Sequence, residues 1–286
     1  MNNEGLERAV SAPKVSVIVT TYRSPYALRA VLTALSVQKT EHTFEIIIAD
    51  AGSGEDTTQV ITGFKKRLKM PVLHILQTDE GYRTAAIRNK AILAAAGDYL
   101  IFLSGDCIPR EDFIERHVAL AEPKVFVVGN RVLLNKTFTV KVLSEALPLH
   151  QWPMWRWGMA RVLGQTNRFL PLLLLSLKWW NRKTTWRWKG ANGCNLAVWK
   201  ADLLQINGWE ELFVGGGFED LDVAFRLLKA GVYRKSGRFQ VPVIHLWHPK
   251  MDKERQKKNG ALFKARQNTS EFCSVKGVTQ YGVINV

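Results

Sequence analysis

Short apolar runs alternate with segments of helical spacing over the first half of the chain. The runs that predict buried strands cover residues 15–20, 44–49, 72–77, 99–103 and 125–128. The segments whose apolar residues recur with helical spacing predict helices over residues 25–35, 57–68, 84–96 and 112–121. Strands separated by helices in this way indicate a mostly parallel, Rossmann-like sheet with helices on both faces, an α/β architecture.

Polar residues follow three of the predicted strands. They are residues 20–22 (TTY), Asp50 and Asp106. Ligands of such sheets bind beyond the carboxyl ends of the strands, so these positions are candidate ligand contacts. Aspartate and serine are also ordinary turn formers, and a plain turn is an equal alternative for each cluster taken alone.

The pattern breaks between residues 147 and 189. Seven of the ten tryptophans lie in this interval, and no acidic residue occurs between Glu145 and Asp202. The apolar stretch 169–177 is too short to cross a bilayer, which requires about 20 apolar residues. Tryptophan and basic residues favour an anionic membrane surface, and we expect this helical insertion to contact a membrane or an acceptor. A helical hairpin buried against the core is the alternative.

Regular spacing resumes after the insertion. It predicts a helix over residues 199–206, a glycine loop at 215–217, a helix that begins with the acidic residues 219, 220 and 222, and a strand over residues 241–246. Residues 250–267 predict a basic surface helix. The chain thus divides into a tail (1–13), a main domain (14–249) that contains the insertion (147–189), and a basic C-terminal tail (250–286).

The composition restricts the partners and the cell compartment. The formal net charge is +15 and the sequence pI is about 9.9, which favours anionic partners such as phosphorylated substrates, acidic lipid or nucleic acid. Residues 1–13 are polar, and we do not expect a secretory signal there. The three cysteines are widely separated, as expected of free thiols in a reducing cytoplasm.

Carboxylates and histidines supply the candidate chemistry. Glu219 and Asp220 follow three glycines, which allow a ligand to approach the backbone, and a carboxylate there can act as a general base. A helix start alone would also favour acidic residues. Asp106 together with His245 and His248 would suit Mn²⁺ or a related cation, although each histidine alone is more simply a structural residue.

Two arginines lie at the start of the predicted helix before Asp106. Arg83 and Arg88 suit a phosphate, since helix starts and guanidinium groups both bind anions. A solvated helix face is the plain alternative.

Taken together, these segments resemble an inverting, family-two glycosyltransferase of the GT-A fold. The chain is similar to the branch that includes the β-1,4-galactosyltransferases and the bacterial chondroitin-type polymerases. The segments that carry the resemblance are VSVIVTTYRSPYALRAVLTAL, FEIIIADAGSGEDT, EGYRTAAIRNKAILAAAGDYLIFLSGDCIPREDF, GANGCNLAVWKADLLQINGWEELFVGGGFEDLDVAFRLLKAG and VIHLWHP. They run from about residue 15 to 249, apart from the insertion.

The resemblance implies a role for each matching position. Asp220 would be the catalytic base, and Glu219 its neighbour that touches the acceptor. The metal would bind Asp106, the last aspartate of the DXD motif, together with His245 or His248 or both. The implied substrate-binding residues are Thr21, Tyr22, Asp50, Arg83, Arg88, Ser104, Asn195 and Trp209. Among them, Thr21, Tyr22 and Asp50 would hold a uracil and ribose, Arg88 would orient Asp50 or the nucleotide, and Arg83 would contact the diphosphate.

Three positions depart from the family pattern. Ser104 replaces the first aspartate of the DXD motif, Ala51 replaces the second aspartate of a DDGS motif, and Gly216 replaces a tryptophan of the acceptor loop. We expect the serine at position 104 to alter the affinity for the metal or the choice of donor.

The resemblance implies a bacterial transferase that acts with inversion and with Mn²⁺ or Mg²⁺. Its donor would be a nucleotide sugar, expected to be UDP-linked, that carries a hexose or N-acetylhexosamine. The acceptor would be a saccharide, expected to be lipid-linked or part of a lipopolysaccharide, capsule or other envelope glycan. We expect a cytoplasmic location at the inner face of the cell membrane and no nucleic-acid partner.

Two other functions are compatible with parts of the sequence. Ser104 favours a catalytically decayed module that binds anionic glycan or nucleic acid, because tryptophans mixed with cations can stack on bases. A nucleotidyltransferase would share the sheet and the acid-bound metal, but such enzymes carry an early glycine-rich basic loop, and residues 20–24 (TTYRS) lack glycine.

Overall fold

A computed structural model describes residues 14–79, 81–175, 183–184, 187–249 and 253–282. Within these residues the strands are β1 (Val15–Thr21), β2 (Phe44–Asp50), β3 (Val72–Leu76), β4 (Tyr99–Ser104), β5 (Cys107–Pro109), β6 (Val125–Val128), β7 (Arg131–Leu133), β8 (Asn195–Trp199), β9 (Tyr233–Ser236) and β10 (Val243–His245). The helices are α1 (Pro25–Ser36), α2 (Glu55–Lys65), α3 (Thr84–Ala94), α4 (Phe113–Leu120), α5 (Lys136–Ser144), α6 (Met154–Val162), α7 (Lys200–Gln205), α8 (Glu219–Lys229) and α9 (Lys253–Gln267).

The main sheet has seven strands in the order β3-β2-β1-β4-β8-β6-β9. Strand β8 runs antiparallel to both neighbours, and the remaining pairs are parallel. The α/β fold with a mostly parallel sheet, predicted from the sequence, is confirmed. A smaller sheet, β5-β10-β7, extends the carboxyl edge of β4.

Helices cover both faces of the main sheet, because successive apolar side chains of each strand point to opposite faces and both faces must be buried. Val17 and Val19 of β1 pack with Leu28 of α1, whereas Ile18 packs on the opposite face in the cluster that contains Ile87 of α3. All five side chains are buried completely. Because successive strand residues point to opposite faces, a fully apolar strand is what a sheet buried on both sides needs.

The sequence pattern missed β8, and this strand matters for the site. The interpretation of residues 199–206 as a helix was nearly correct, since α7 covers 200–205, but the five residues before it form β8. A five-residue run with one polar end carries little periodic signal. Because β8 is antiparallel, its first residue lies at the carboxyl edge of its parallel neighbours, and so do residues 192–194 just before it.

The insertion forms a single α-helix among its described residues. Helix α6 buries Trp157 and exposes Trp155 and Val162, which are 61% and 87% exposed. A short 3₁₀-helix follows at Leu170–Leu173. The described residues therefore do not form the buried hairpin that was the alternative. Residues 176–182 and 185–186, which include three of the insertion's tryptophans, lie outside the described residues.

Helix α9 belongs to the packed domain, which corrects the view of residues 250–286 as an appended basic tail. Asn259 is 5% exposed, and its side-chain amide donates to the carbonyl groups of Val214, Gly216 and Gly217 at 3.0–3.1 Å. Phe263 is 3% exposed and packs against other aromatic rings. Helix α9 thus holds the glycine loop (residues 215–217) in place through Asn259.

None of the helices that the structure describes is long and apolar enough to span a bilayer.

Candidate active site

A cleft of about 670 Å³ lies at the carboxyl edge of β1 and β4. Thr21 and Tyr22 line it from the end of β1, and Ser104 and Asp106 line it from the end of β4. The register brings these ends together, because Thr21 pairs with Asp50 and Thr20 pairs with Ser104. We call this space the donor cleft.

Asp50 lies behind the donor cleft. Its carboxylate is completely buried, accepts a hydrogen bond from the Ser53 amide at 2.8 Å, and lies 3.1 Å from His74 Nε2. Burial alone would raise the pKa of Asp50, but the hydrogen bonds from His74 and Ser53 outweigh burial and lower it. The structure therefore gives Asp50 a supporting position, which differs from the direct nucleotide contact expected. His74 was not singled out from the sequence, because it is one polar residue within an apolar strand.

A second aspartate lies at the rim of the donor cleft. Asp79 pairs with Arg23 and accepts a hydrogen bond from the Tyr22 hydroxyl at 3.1 Å. A Cβ atom at Gly52 would lie 2.6 Å from the Cα of Asp79, so only glycine fits between the two loops. These contacts fix the ring of Tyr22, which lies 5.7 Å from the ring of Tyr82 between centroids.

Asp106 and the two late histidines converge at the mouth of the donor cleft. Asp106 Oδ2 lies 3.6 Å from His245 Nε2 and 3.5 Å from His248 Nε2. Ligand atoms bound to one transition metal at about 2.1 Å lie about 3–3.5 Å apart, so this spacing suits a shared cation. His248 Nδ1 lies 2.8 Å from the Pro249 carbonyl, a contact that leaves Nε2 as the ligand atom.

The surroundings of this cluster favour a bound cation. The buried Cys107 thiol donates to Asp106 Oδ1 at 3.4 Å, and burial raises the pKa of that thiol well above its ordinary value. Burial lowers the pKa of His245, although Asp106 opposes that effect, so its imidazole is in the neutral form that metals bind. Asp106 therefore lies near both predicted histidine ligands, and the possible ligand atoms of Asp106, Cys107 and His245 lie within 4.8 Å of one another.

Asp220 lies in the first turn of α8 and contacts two buried side chains. Arg88 NH1 donates to Asp220 Oδ1 at 2.8 Å, and the indole Nε1 of Trp209 donates to the same oxygen at 3.3 Å. A Cβ atom at Gly193 would lie 2.4 Å from Oδ1, so the backbone just before β8 must be glycine here. Both of these contacts use Oδ1, and Oδ2 accepts no hydrogen bond from the residues that the structure describes.

Arg88 is held against Asp220 and not against Asp50, which corrects one of its two expected roles. Its Nε also donates to the Thr20 hydroxyl at 3.2 Å. Burial would lower the pKa of Arg88, but the carboxylates of Asp220 and Glu219 outweigh burial and raise it. The guanidinium is therefore a permanent buried cation.

Glu219 is 6% exposed, and its Oε2 has no hydrogen-bond partner among the described residues. Burial and the nearby charge of Asp220 raise its pKa to about 7, although Arg88 opposes them. Glu219 is therefore partly protonated at neutral pH, unlike an ordinary surface carboxylate. Paired carboxyl groups in which one pKa is raised are typical of active sites.

The glycine loop gives α8 its position. Gly215, Gly216, Gly217 and Phe218 all have φ between 73° and 91°, in the left-handed region. Three glycines adopt this conformation without strain, and Phe218 is held there by its ring contact with Phe263. A chain with tryptophan at position 216 would have difficulty adopting this conformation.

Three further predicted residues lie away from the donor cleft. Asn195 is 1% exposed, and its side chain bonds to the Val241 carbonyl at 2.6 Å and to His117 at 3.1 Å; these contacts are structural, and its substrate contact stays a prediction. Trp209 is completely buried and positions Asp220 from below. Arg83 is exposed and does not line the donor cleft, so its diphosphate contact stays a prediction.

Arg255 of α9 lines the donor cleft, although the sequence placed it in a basic tail. Its Cδ atom lies 2.7 Å from the position that a Cβ atom at Gly215 would occupy. Tyr82 also lines the cleft and is within electrostatic reach of Arg88, Asp106, Glu219 and Asp220. Tyr82 and Asp106 line the donor cleft, and Glu219 and Asp220 lie close enough to Tyr82 that their charges add to the effect of burial in raising its pKa.

Residues 16–173 match the family described as Glycosyl transferase family 2. Residues 176–249 match a second family, described as the N-terminal domain of galactosyltransferase. The first match covers more than half of the chain, and the second begins where the first ends.

Individual proteins agree with these matches. Chondroitin synthase of Escherichia coli is 24% identical over 78% of this chain and 33% of its own length. The chain spans about half or less of the curated relatives that it matches first.

Solved structures share the fold. The crystal structure of S. aureus TarS 1–349 in complex with UDP has a TM-score of 0.56 and 14% identity, over 89% of this chain and 71% of that chain. Mannosyltransferase PcManGT from Pyrobaculum calidifontis, in complex with GDP-Man and Mn²⁺, has a TM-score of 0.55 and 16% identity, over 91% and 66%.

The raised pKa of Glu219 predicts a pH-dependent cost to stability. Below about pH 4.5, Glu219 is protonated in the folded and in the unfolded protein, and the cost is absent. The cost grows between pH 4.5 and about pH 7, and it is constant at higher pH. Relative to wild type, Glu219→Gln should therefore gain about 3 kcal/mol in free energy of unfolding across that window. Urea unfolding at several pH values measures the difference.

Glu55→Gln is the control, because Glu55 is an exposed carboxylate at the start of α2. Its difference from wild type should not vary over the same pH window. A Glu219→Gln difference that is flat with pH would contradict the raised pKa.

Proposed function

The chain belongs to glycosyl transferase family 2, and from that membership we propose that it transfers a hexose or N-acetylhexosamine from a nucleotide sugar to a saccharide acceptor. The observation that carries the proposal is that two acidic centres lie near one residue of the donor cleft, Tyr82. Asp106 with its histidines borders the donor cleft at one side, and Asp220 lies within electrostatic reach of the same Tyr82 hydroxyl. A transferase needs one centre for the leaving diphosphate and another for the attacking hydroxyl.

We propose a UDP-linked donor, with its base and ribose between the end of β1 and the side chains of Asp79 and Tyr82. Thr21 and Tyr22 line the cleft there, and Asp79 fixes the Tyr22 hydroxyl. The likeness to a structure that contains UDP supports this choice, while another neighbour contains GDP-Man. Ser104 lies at the end of β4 and lines the same cleft, next to Asp106.

We propose Asp106, His245 and His248 as the residues that hold a divalent cation, Mn²⁺ in preference to Mg²⁺. One carboxylate and two imidazoles form a ligand set that suits Mn²⁺, whereas Mg²⁺ prefers oxygen and water. A cation bound there supplies charge for the leaving diphosphate. Arg255 and Arg23 line the cleft as further cations beside the proposed position of the diphosphate.

We propose Asp220 as the general base of a single inverting displacement. Arg88 holds Oδ1, and the carboxylate accepts the acceptor hydroxyl proton through its other oxygen as the new bond forms at the anomeric carbon. Attack opposite the leaving diphosphate inverts the anomeric centre. Glu219, beside Asp220 and with a free Oε2, is placed to accept or donate a hydrogen bond to the acceptor.

We propose a lipid-linked or envelope glycan acceptor, handled at the inner face of the cell membrane. Helix α6 exposes Trp155, Met159 and Val162, which are 61%, 55% and 87% exposed. Arg156 lies 5.4 Å from the Trp155 ring. Exposed tryptophan and aliphatic side chains beside arginine suit the headgroup region of an anionic bilayer.

A decayed, non-catalytic module remains the second candidate, because Ser104 replaces an aspartate of the DXD motif. The convergence of Asp106 with both histidines, and of Arg88 with Asp220, argues for a working centre. Hydrolysis of UDP-sugars with and without Mn²⁺ separates the two, since the module would show no turnover and no metal-dependent nucleotide binding.

The role of Asp220 predicts a separation of binding from transfer. Asp220→Asn should keep donor binding, measured by calorimetry with Mn²⁺, and should lower kcat by about 10²–10⁴-fold, because a general base is lost. Asp56→Asn, an exposed position on α2, is the charge-matched control and should retain wild-type kcat. Loss of donor binding in Asp220→Asn would mean that its role is wrong.

The metal cluster predicts a specific change in the Mn²⁺ requirement. Asp106→Asn should raise the half-saturating Mn²⁺ concentration for UDP-sugar hydrolysis by about 100-fold or more, since even outer contacts of metal ligands change affinity 10–100-fold. The Mn²⁺ dependence of hydrolysis measures it. An unchanged Mn²⁺ dependence would remove Asp106 from the metal site.

The exposed face of α6 predicts retention on anionic vesicles. The double variant Trp155→Ser, Val162→Ser should reduce sedimentation with phosphatidylglycerol vesicles about tenfold, because apolar area that would be buried is removed. A matched double variant, Leu212→Ser with Val275→Ser, removes exposed apolar side chains elsewhere and should keep retention. Equal retention of both variants would contradict the membrane-surface proposal.

A further inference from the structure

A second cleft, of about 490 Å³, opens at the carboxyl edge of β6 and β9. Five cations line it: Arg168, Arg187, Lys189, Arg234 and Arg238. No carboxylate is among the residues that line it. We call this space the basic cleft.

The order of strands places the basic cleft and the donor cleft on opposite sides of Asp220. The donor cleft follows β1 and β4, Gly193 packs against Asp220 just before β8, and the basic cleft follows β6 and β9. All these positions are at one edge of the sheet, because β8 alone runs antiparallel to its neighbours. The basic cleft therefore lies at the same edge of the sheet as Asp220, on the side away from the donor cleft.

Backbone carbonyl groups hold two of the guanidinium groups in place. Arg234 NH1 donates to the carbonyl oxygens of Arg187 and Lys189, both at 2.8 Å. Arg168 donates to the Arg131 carbonyl through Nε at 3.2 Å and NH2 at 2.9 Å. These contacts orient the two side chains, and neither guanidinium pairs with a carboxylate among the described residues.

The cations of this cluster repel one another. Burial, followed by the charge of Arg187, lowers the pKa of Arg234 to about 10. Burial, followed by Arg238 and Arg131, lowers the pKa of Arg168. Repulsion of this kind is relieved when an anion binds among the cations.

Arg131 connects the basic cleft to the centre of the site. It acts electrostatically on both Arg168 and the proposed metal ligand His245. Its NH2 group lies 3.5 Å from the Asn192 side-chain oxygen, one residue from the glycine that packs on Asp220. Arg131 therefore lies between Arg168 of the basic cleft and the backbone that packs on Asp220.

We propose that the basic cleft binds a phosphate or diphosphate group carried by the acceptor. This inference rests on the proposed function. Arginine binds phosphate oxygens through paired N–H groups, and four arginines with one lysine supply more charge than a single carboxylate would require. The donor diphosphate belongs on the other side, beside Asp106, so an anion in the basic cleft comes from the second substrate.

The test compares two probes that differ only in phosphate. Octyl diphosphate-linked N-acetylglucosamine and octyl N-acetylglucosaminide are titrated into the full chain with UDP and Mn²⁺ present. Wild type should bind the diphosphate probe at least about tenfold tighter, and this preference should fall with salt. The double variant Arg187→Gln, Lys189→Gln should lose about tenfold in affinity for the diphosphate probe only. The fold should tolerate these changes, because both side chains are exposed and Arg234 uses only their backbone carbonyl groups.

The control variant Lys65→Gln, Lys66→Gln removes the same charge at the end of α2 and should keep the wild-type preference. Equal affinity of wild type for both probes, or an unchanged preference in Arg187→Gln, Lys189→Gln, overturns the inference. If that variant instead loses only retention on phosphatidylglycerol vesicles, the phosphate is a lipid headgroup and the acceptor assignment is overturned. UDP-sugar hydrolysis without any acceptor tests the proposed function separately, because it does not involve the basic cleft.

Discussion

Arg88 carries a permanent positive charge at a position that is 3% exposed, and that charge must be neutralised where it lies. An unpaired buried ion costs several kcal/mol, so a carboxylate has to reach it. Asp220 does so from the first turn of α8, although 132 residues separate the two. The position of the proposed base is thus set by the buried Arg88 guanidinium of α3, which needs a counter-ion. Two further residues pack against Asp220. The Trp209 indole donates a hydrogen bond to its Oδ1, and Gly193 has no Cβ atom to collide with that oxygen.

The constraint also explains why the glycine loop is so unusual. Four successive residues in the left-handed region reverse the chain abruptly, so that α8 begins with its carboxylates toward Arg88. Asn259 then binds three of the carbonyl groups that this turn exposes. Helix α9 is therefore as much a part of the centre as α8, and it also delivers Arg255 to the donor cleft.

Much of the fold could be predicted from the sequence, because strands buried on both faces appear as continuous apolar runs. The five strands and four helices predicted for the first half are present to within three residues at either end. Strands β5, β7, β8 and β9 were missed, since runs of three to five residues with polar members carry no clear period. Of the site, the spatial meeting of Asp106 with the late histidines agrees with the resemblance.

The remaining differences come from tertiary packing, which local sequence does not encode. Asn195 has a polar side chain of the kind that contacts ligands, yet it bonds to the carbonyl of Val241, which is distant in sequence, and to the His117 ring. His74 and Asp79 lie in unremarkable sequence and acquire roles only because the register of β3 brings them beside Asp50 and Tyr22.

The segment from 129 to 194 starts and finishes at nearly the same point in space. Gly129 N donates to the Asn195 carbonyl at 3.0 Å, directly across the β6–β8 pair. A segment whose ends meet behaves as a module, since its closure entropy changes by only about 0.6 kcal/mol when its length doubles. Changes of length within this module, between β7 and residue 191, would therefore leave the sheet, Gly193 and the Arg88–Asp220 pair intact. Relatives with the same centre could in this way diverge in what they recognise beside it.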